Sequence, residues 1–227
     1  VTQACATLKN TGITVPADQI LSFPGTVYAY AAVREEPTEK AVAEKFVGKS
    51  TSSFPGGGIA IYTGKYGKVS FHTGGLIDVE LNKAPEENQS VRRFFESLIS
   101  AAGMSNYVCT GAPDEKTVVF TGLCDKRQVQ NATLTCTVSG SVAKISGKWV
   151  LGQMLLDGQS LPKAEIVISL RPLLEQAGIT HITDASMIYI MQENAQRGGV
   201  QVIPVWKLLY DKGEIYVNAL TKKQMIL

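Results

Sequence analysis

The heptapeptides TLKNTGI (7–13), LISAAGM (98–104) and LLEQAGI (173–179) share one pattern. In each of them an aliphatic residue stands four positions before a glycine, and a second apolar residue follows that glycine. Glycine placed just after a helix adopts a left-handed conformation without steric penalty, and the next apolar residue folds back onto the last helical turn. The pattern therefore predicts that a helix ends and a strand begins at Gly12, Gly103 and Gly178.

Helical periodicity is clearest before the second of these glycines. Apolar residues recur over 91–102 with the three- and four-residue spacing of one helix face, and Ser90 or Asn88 would cap the N-terminus of that helix. The third helix is predicted to be shorter. A fourth amphipathic stretch covers residues 38–46. Helices therefore alternate along the chain with segments of another kind.

Those segments are β-branched runs, which are typical of strands. Serine, glycine and aspartate separate many of them, and residues 210–213 predict a hairpin turn. Runs of strands with helices on one side favour an α+β fold with antiparallel sheets. We expect repeated helix-plus-antiparallel-sheet modules with the helices packed on one face of each sheet. The predicted strands lie within residues 59–62, 68–72, 76–81, 117–123, 132–138, 142–150, 186–191, 200–210 and 214–220.

The length of 227 residues, at 24.4 kDa, fits one large domain or two small ones. The polar, proline-containing stretch 82–88 is the best candidate boundary. We therefore predict an N-terminal α+β domain at 1–84 and a C-terminal α+β domain at 85–227. The latter would consist of two similar modules, about 85–157 and 158–227.

Charge and hydropathy exclude several classes of protein. Lys and Arg number 22 against 20 Asp and Glu, and no block of like charges suggests a nucleic-acid partner. No apolar run approaches the ~18–20 residues of a membrane span. Because the chain opens at Val1 rather than at a methionine, we expect that a signal or membrane anchor once preceded it.

Neither a metal nor a catalytic site is predicted. The four cysteines contain no C-x-x-C pair, so zinc is not expected and the thiols are interpreted chiefly as small buried side chains, although pairing of some stays open. The glycines at 56–58 lack the spacing of a phosphate-binding loop. His72 and His181 have no G-x-S-x-G serine to activate, and adjacent carboxylates fall in predicted loops. The prediction is a protein that is not an enzyme and binds no cofactor. The cysteines are Cys5, Cys109, Cys124 and Cys136.

Large aromatic side chains are the candidate binding residues. Tyr189, Trp206, Tyr210 and Tyr216 all come from the predicted sheet of the last module. Exposed aromatics mark protein interfaces, but at strand spacing they also form the core beneath a helix. Both interpretations stay open, with Tyr210 and Tyr216, near the hairpin, expected to be the more exposed pair.

The C-terminal strands carry a family resemblance. The sequence around Pro204-Val205-Trp206, and then the strand Tyr216-Val217-Asn218-Ala219, resemble the C-terminal signature of the YycH/YycI family. Residues 118–149 are similar to the preceding repeat of that family, and also to PepSY-type modules. The resemblance covers roughly residues 89–227 and implies a PepSY or cystatin-like module fold.

Members of this family are extracytoplasmic accessory proteins of Gram-positive bacteria that control a cell-wall sensor histidine kinase. The resemblance therefore implies a non-catalytic protein-interaction module on the extracellular side of the membrane, held by an N-terminal helix before Val1. Its partner would be a membrane histidine kinase or a paralogous accessory protein. The alternative is a PepSY-like inhibitor or chaperone of a secreted hydrolase, which holds a peptide at an open sheet edge or in a groove between helix and sheet.

Overall fold

The computed structural model describes residues 6, 8–10, 12–15, 26–111, 116–162, 170–194 and 199–226. Strands make up 53% and helices 19% of it. The strands are β1 (Thr26–Ala32), β2 (Ser50–Gly56), β3 (Ile59–Gly64), β4 (Gly67–Phe71), β5 (Leu76–Leu81), β6 (Tyr107–Thr110), β7 (Thr117–Cys124), β8 (Arg127–Ser139), β9 (Val142–Lys148), β10 (Leu155–Pro162), β11 (Ile182–Asn194), β12 (Gly199–Tyr210), β13 (Gly213–Asn218) and β14 (Gln224–Met225). The named helices are α1 (Glu36–Val47), α2 (Val91–Ala101), α3 (Arg171–Gln176) and the 3-10 turn Thr73–Gly75.

The predicted fold class is wrong. The chain is mostly sheet with four short helices among the described residues, and it does not repeat a module of helices packed on a sheet. The reason lies in the strand pairing: β5 pairs with β9, with Val79 opposite Ile145. Strands assigned to different sequence copies thus lie side by side, so the copies are not separate modules.

The chain forms two compact units. The terminal unit comprises the described residues within Val1–Tyr30, Leu156–Ile190 and Val202–Leu227. The central unit comprises those within Ala31–Leu155 and Met191–Gln201. Strands β1, β11 and β12 contribute residues to both. The division at residue 84 stays a prediction.

An antiparallel sheet dominates the central unit. Its strand order is β8–β9–β5–β4–β3–β2, with β7 on β8 and β6 on β7. The predicted strands at 117–123, 132–138 and 142–150 correspond to β7, β8 and β9, which form an antiparallel meander, and those at 59–62, 68–72 and 76–81 correspond to β3, β4 and β5, which form another. Short turns join neighbouring strands in both meanders, which is why local sequence was sufficient to predict them.

Helices α1 and α2 contribute to the core of this unit. Phe46 of α1 and Phe95 of α2 are fully buried in one cluster with Tyr62, Phe120 and Leu134 of the sheet. Burial of each such side chain contributes roughly 1.5–3 kcal/mol. The predicted cap of α2 is confirmed as well, because Ser90 Oγ accepts the Arg93 amide at 3.3 Å.

All three predicted helix ends are confirmed. Gly12, Gly103 and Gly178 have φ angles of +82°, +76° and +65°. In each case the amide of the following apolar residue donates to the carbonyl five residues before it, which is the bond that closes such a helix end. These bonds join Ile13 to Leu8 at 3.0 Å, Met104 to Ile99 at 3.1 Å and Ile179 to Leu174 at 2.9 Å.

In the terminal unit, β13 pairs with β12 and β14 pairs with β13. The hairpin predicted at residues 210–213 is confirmed, because Tyr210 lies opposite Gly213. A parallel bridge joins Thr14 to His181, where the Ile182 amide donates to the Thr14 carbonyl at 2.9 Å. Leu174 and Trp206 are buried in the core of this unit.

Candidate binding sites

A pocket of about 500 Å³, including the space open to solvent, lies within the central unit. Apolar side chains form much of its wall: Val33, Leu76, Trp149, Leu151 and Val200. Trp149 and Val200 are each 5% exposed, so these two parts of the wall are held within the packed interior.

The 3-10 turn Thr73–Gly75 forms part of this wall because it lies tight against Trp149. The Trp149 amide donates to the Gly75 carbonyl at 2.9 Å. A Cβ atom on Gly75 would lie 2.6 Å from the Trp149 carbonyl oxygen, and the φ of Gly75 is +77°. Only glycine permits this approach, so the turn and the tryptophan form one rigid part of the wall.

Arg34 and Glu39 form a largely buried ion pair at the pocket. Glu39 is 3% exposed, and its two carboxylate oxygens accept from Arg34 Nε and from Arg34 Nη2, the latter at 3.3 Å. Arg34 also donates to the carbonyls of Gly58 and Phe71, the latter at 3.2 Å. The guanidinium thus makes four hydrogen bonds, which use nearly all of its donors. Its positive charge is neutralised by Glu39.

His72 lines the same pocket and lies 3.5 Å from Asp78, measured from Nε2 to Oδ2. Within the described residues, no serine, threonine or cysteine side chain forms a hydrogen bond with His72. The described part of the chain also contains no group of three or more His, Cys, Asp or Glu side chains placed to hold a metal ion.

A second candidate site is the sheet edge at β2. Six of its seven residues are exposed, and Phe54 is 55% exposed. Among the described residues β2 pairs with β3 alone. A strand at a sheet edge presents unpaired amide and carbonyl groups, onto which another strand can add.

None of the aromatic residues that the sequence proposed as binding candidates lines the pocket or belongs to β2. Tyr189 and Trp206 are 2% and 1% exposed and belong to the core. Tyr216 is 9% exposed, and its hydroxyl donates to Glu214 at 2.7 Å. Tyr210 is half-buried against the core of the terminal unit.

Sequence analysis missed both Arg34 and the edge strand. Arg34 and Glu39 lie on either side of the start of α1, where the sequence suggested only solvated charge. The edge did leave a signal, because residues 50–64 contain no charged side chain. Exposed strands usually carry charges that discourage pairing, so their absence points to an edge that can be paired.

Burial affects the reactivity of the three cysteine thiols in the described residues. Cys124 and Cys136 are buried, and burial raises the pKa of Cys124 to about 12 and raises that of Cys136 as well. Burial also raises the pKa of the partly exposed Cys109. A thiol is nucleophilic chiefly as thiolate, so the raised pKa values lower the reactivity of these cysteines at neutral pH. All three are free, and Cys5 lies outside the described residues.

Tyr62 gives a testable pH effect beside the Arg34–Glu39 pair. Its hydroxyl is buried without a hydrogen-bond partner among the described residues. Burial, and then the charges of Glu39 and Glu36, raise the pKa of Tyr62 from 10.0 to about 12. The unfolded state therefore ionises first, so stability is full below pH 10 and falls as the pH rises toward 12.

We expect Tyr62→Phe to abolish that part of the alkaline loss of stability. At pH 7 the variant should be as stable as the wild type, or up to about 1 kcal/mol more stable, because an unpaired buried hydroxyl is removed. Urea unfolding at pH 7 and at several values above pH 10 measures both effects. An equal alkaline loss in the two proteins would contradict the assignment.

Comparison with known proteins finds no matching family model, and no curated protein matches the sequence. None of the helices in the described residues combines the length and the apolar character that a membrane span requires.

Proposed function

We propose that this chain is a non-catalytic protein-interaction module that pairs the free edge of β2 with an extended segment of a partner protein. The observation that supports this proposal is the uncharged and exposed edge of β2, which is regular over Ser50–Ser53. The edge at β6 is less suitable, because two of its residues, Tyr107 and Cys109, pack against the core. Strand β2 has no such constraint.

The backbone amide and carbonyl groups of successive residues along β3 face β4 and β2 in alternation. This alternation determines which amide and carbonyl groups of β2 face away from the sheet. Gly64 and Gly67 close the tight hairpin between β3 and β4, so the backbone groups of Gly64 face β4. The groups of its neighbour Thr63 then face β2, where Thr63 lies opposite Thr51. By the same alternation, the amide and the carbonyl of Ser52 face away from β3.

The amide of Ser50 supports this assignment. It donates to Glu44 Oε1 at 3.4 Å rather than into the ladder with β3. Ser50 and Ser52 lie two residues apart, so their backbone groups point in the same direction. Ser52 therefore offers the central donor and acceptor of the free edge.

The chemistry of the edge determines the chemistry of the partner segment. Serine and threonine occupy residues 50–53, Phe54 and Pro55 follow where the pairing with β3 is irregular, and no charge lies within residues 50–64. A charged strand would lose hydration there without gaining a counter-charge. The partner segment is therefore extended and uncharged, with an apolar side chain that covers Phe54.

Residues 204–206 and 216–219 resemble the YycH/YycI family, and this resemblance suggests the class of partner. On that ground the partner is a cell-wall sensor histidine kinase or a paralogous accessory protein, met on the extracellular side of the membrane. A non-catalytic module regulates such a kinase by binding its two states with different affinity. The membrane anchor of this proposal would precede Val1.

The test uses Ser52→Pro, with Ser52→Ala as its matched control. Proline removes the outward amide and leaves the ladder with β3 intact, whereas alanine keeps the amide. Binding to the extracytoplasmic domains of the source organism's sensor histidine kinases is measured by biolayer interferometry. We expect wild type and Ser52→Ala to bind alike, and Ser52→Pro to bind about tenfold or more weakly.

Three outcomes would count against the proposal. If Ser52→Pro binds as tightly as the wild type, and its urea midpoint matches that of Ser52→Ala, then β2 is not the contact surface. Binding to none of the kinase domains would remove the kinase as partner. If the wild type is a dimer in sedimentation and Ser52→Pro is a monomer, the edge pairs with a second copy of this chain instead.

A further inference from the structure

The pocket of the central unit is a candidate ligand site that is independent of the edge of β2. Its wall is largely apolar, so it fits the apolar part of an organic group. The charges at its rim determine which kind of group that is. They are Arg34, Glu35, Glu39 and Glu193, together with the imidazole of His72.

An anionic ligand is disfavoured because the only guanidinium at the pocket already has partners. Arg34 is bound by Glu39 and by the carbonyls of Gly58 and Phe71. An anion would have to displace a carboxylate that is 3% exposed. Such a displacement would leave Glu39 buried without a counter-ion, at a cost of several kcal/mol.

The two remaining carboxylates are not neutralised. Glu35 accepts only from Thr38 Oγ1, at 3.3 Å, and Glu193 has no hydrogen bond or ion pair within the described residues. Glu193 reaches over the turn at Gly74, where a Cβ atom would lie 3.9 Å from its Oε2. Both carboxylates line the pocket, so the described residues that line it carry a net negative charge.

Glu193 is also held in place by its strand. The side chain of Asn131 donates to the Met191 carbonyl at 2.7 Å and accepts the Met191 amide at 2.8 Å. These two bonds fix the backbone of β11 two residues before Glu193. The side chain of Glu193 itself is exposed, so a cation can reach its carboxylate from solvent beside the apolar wall.

We propose that this pocket binds a primary ammonium or guanidinium group whose apolar body packs against Trp149, Leu151 and Val200. Glu193 and Glu35 accept hydrogen bonds from the cation. The Arg34–Glu39 pair forms part of the pocket wall and does not bind the charge of the ligand. The cation belongs to a small organic amine or to a lysine or arginine side chain of a partner. The same chemistry serves both sources.

The experiment titrates the full chain with four probes and follows binding by NMR and calorimetry. Phenethylamine has both the charge and the apolar body, 2-phenylethanol has the body alone, phenylacetate reverses the charge, and methylammonium has the charge alone. We expect phenethylamine to bind most tightly and phenylacetate not to bind. The affinity for phenethylamine should fall with added salt.

Glu193→Gln tests the carboxylate, and Glu87→Gln is its matched control. Glu87 is exposed and lies outside the pocket, so both variants make the same change of net charge. We expect Glu193→Gln to weaken phenethylamine binding about fivefold to tenfold, and Glu87→Gln less than about twofold. Equal effects of the two variants would overturn the proposal. So would equal affinity for 2-phenylethanol, or no binding of phenethylamine up to about 10 mM.

A further arm distinguishes the two sources of the cation. A capped tetrapeptide with a central lysine is compared with the same peptide carrying norleucine. Tighter binding of the lysine peptide than of phenethylamine identifies a partner's side chain as the ligand. Binding of phenethylamine without binding of the peptide identifies a small amine. Ser52→Pro should bind phenethylamine as the wild type does, so failure at the edge and failure at the pocket remain distinguishable.

Discussion

Replacing Arg34 with methionine is expected to lower the free energy of unfolding by about 3 kcal/mol. Removal of one partner from a buried ion pair usually costs about 3–5 kcal/mol, because the other charge stays buried. Glu39 is 3% exposed, whereas the side chain of Arg34 is 23% exposed, so the lower end of that range applies. The carbonyls of Gly58 and Phe71 also lose their donor. Urea unfolding measures the loss.

The control for this variant is Arg171→Met. Arg171 pairs with Glu175 at 2.7 Å on α3, and both side chains are about half exposed at 45% and 46%. Exposed pairs of this spacing contribute about 0.3–0.5 kcal/mol. Combining Arg34→Met with Glu39→Gln should recover part of the loss, since an amide is less costly to bury than a carboxylate. A loss at Arg34 no larger than that at Arg171 would show that the pair is not structural.

Arg34 also links the two candidate sites. Its guanidinium holds the turn of the β2–β3 hairpin at Gly58 and the first turn of α1 at Glu39. The edge strand and the pocket rim therefore share one anchor in the central unit. A variant at Arg34 should weaken both binding activities, which is why the sharper tests use Ser52 and Glu193.

Local signals in the sequence were accurate because they depend on neighbours in the chain. The helix ends at Gly12, Gly103 and Gly178 need only a glycine and two apolar residues within one turn. Hairpin strands are equally local, since a short turn fixes their register. Such local signals predicted nine of the fourteen strands in the described residues, whereas β1, β2, β6, β10 and β14 were not predicted.

Pairing between distant strands could not be predicted in the same way. Strand β5 presents Ile77 and Val79 to the core, and β9 presents Ala143 and Ile145. The same alternation would fit many other neighbours, so nothing in either strand specifies the other. The fold class failed at this step. Arg34 and Glu39 were missed for a related reason, because the burial of Glu39 depends on the sheet beneath α1.

Replacing Gly147 with alanine is expected to cost about 4 kcal/mol, the largest effect of a single substitution predicted here. Gly147 lies in β9 between Ile77 of β5 and Leu134 of β8. Its φ is +146°, and a Cβ atom would lie 1.9 Å from the carbonyl oxygen of Thr133. Backbone on both sides leaves no flexible side chain that could move aside, so the strands themselves would have to separate.

Gly140→Ala is the matched control, because it makes the same change in the turn between β8 and β9. Gly140 has a φ of +58° and no atom within 4 Å of a Cβ position. It should cost only the left-handed strain, about 1–2 kcal/mol. Both variants restrict the unfolded chain equally, so the difference between them measures the close approach at Gly147. Equal losses would mean that β9 does not lie between β5 and β8, and the architecture that replaces the predicted modules would fail with it.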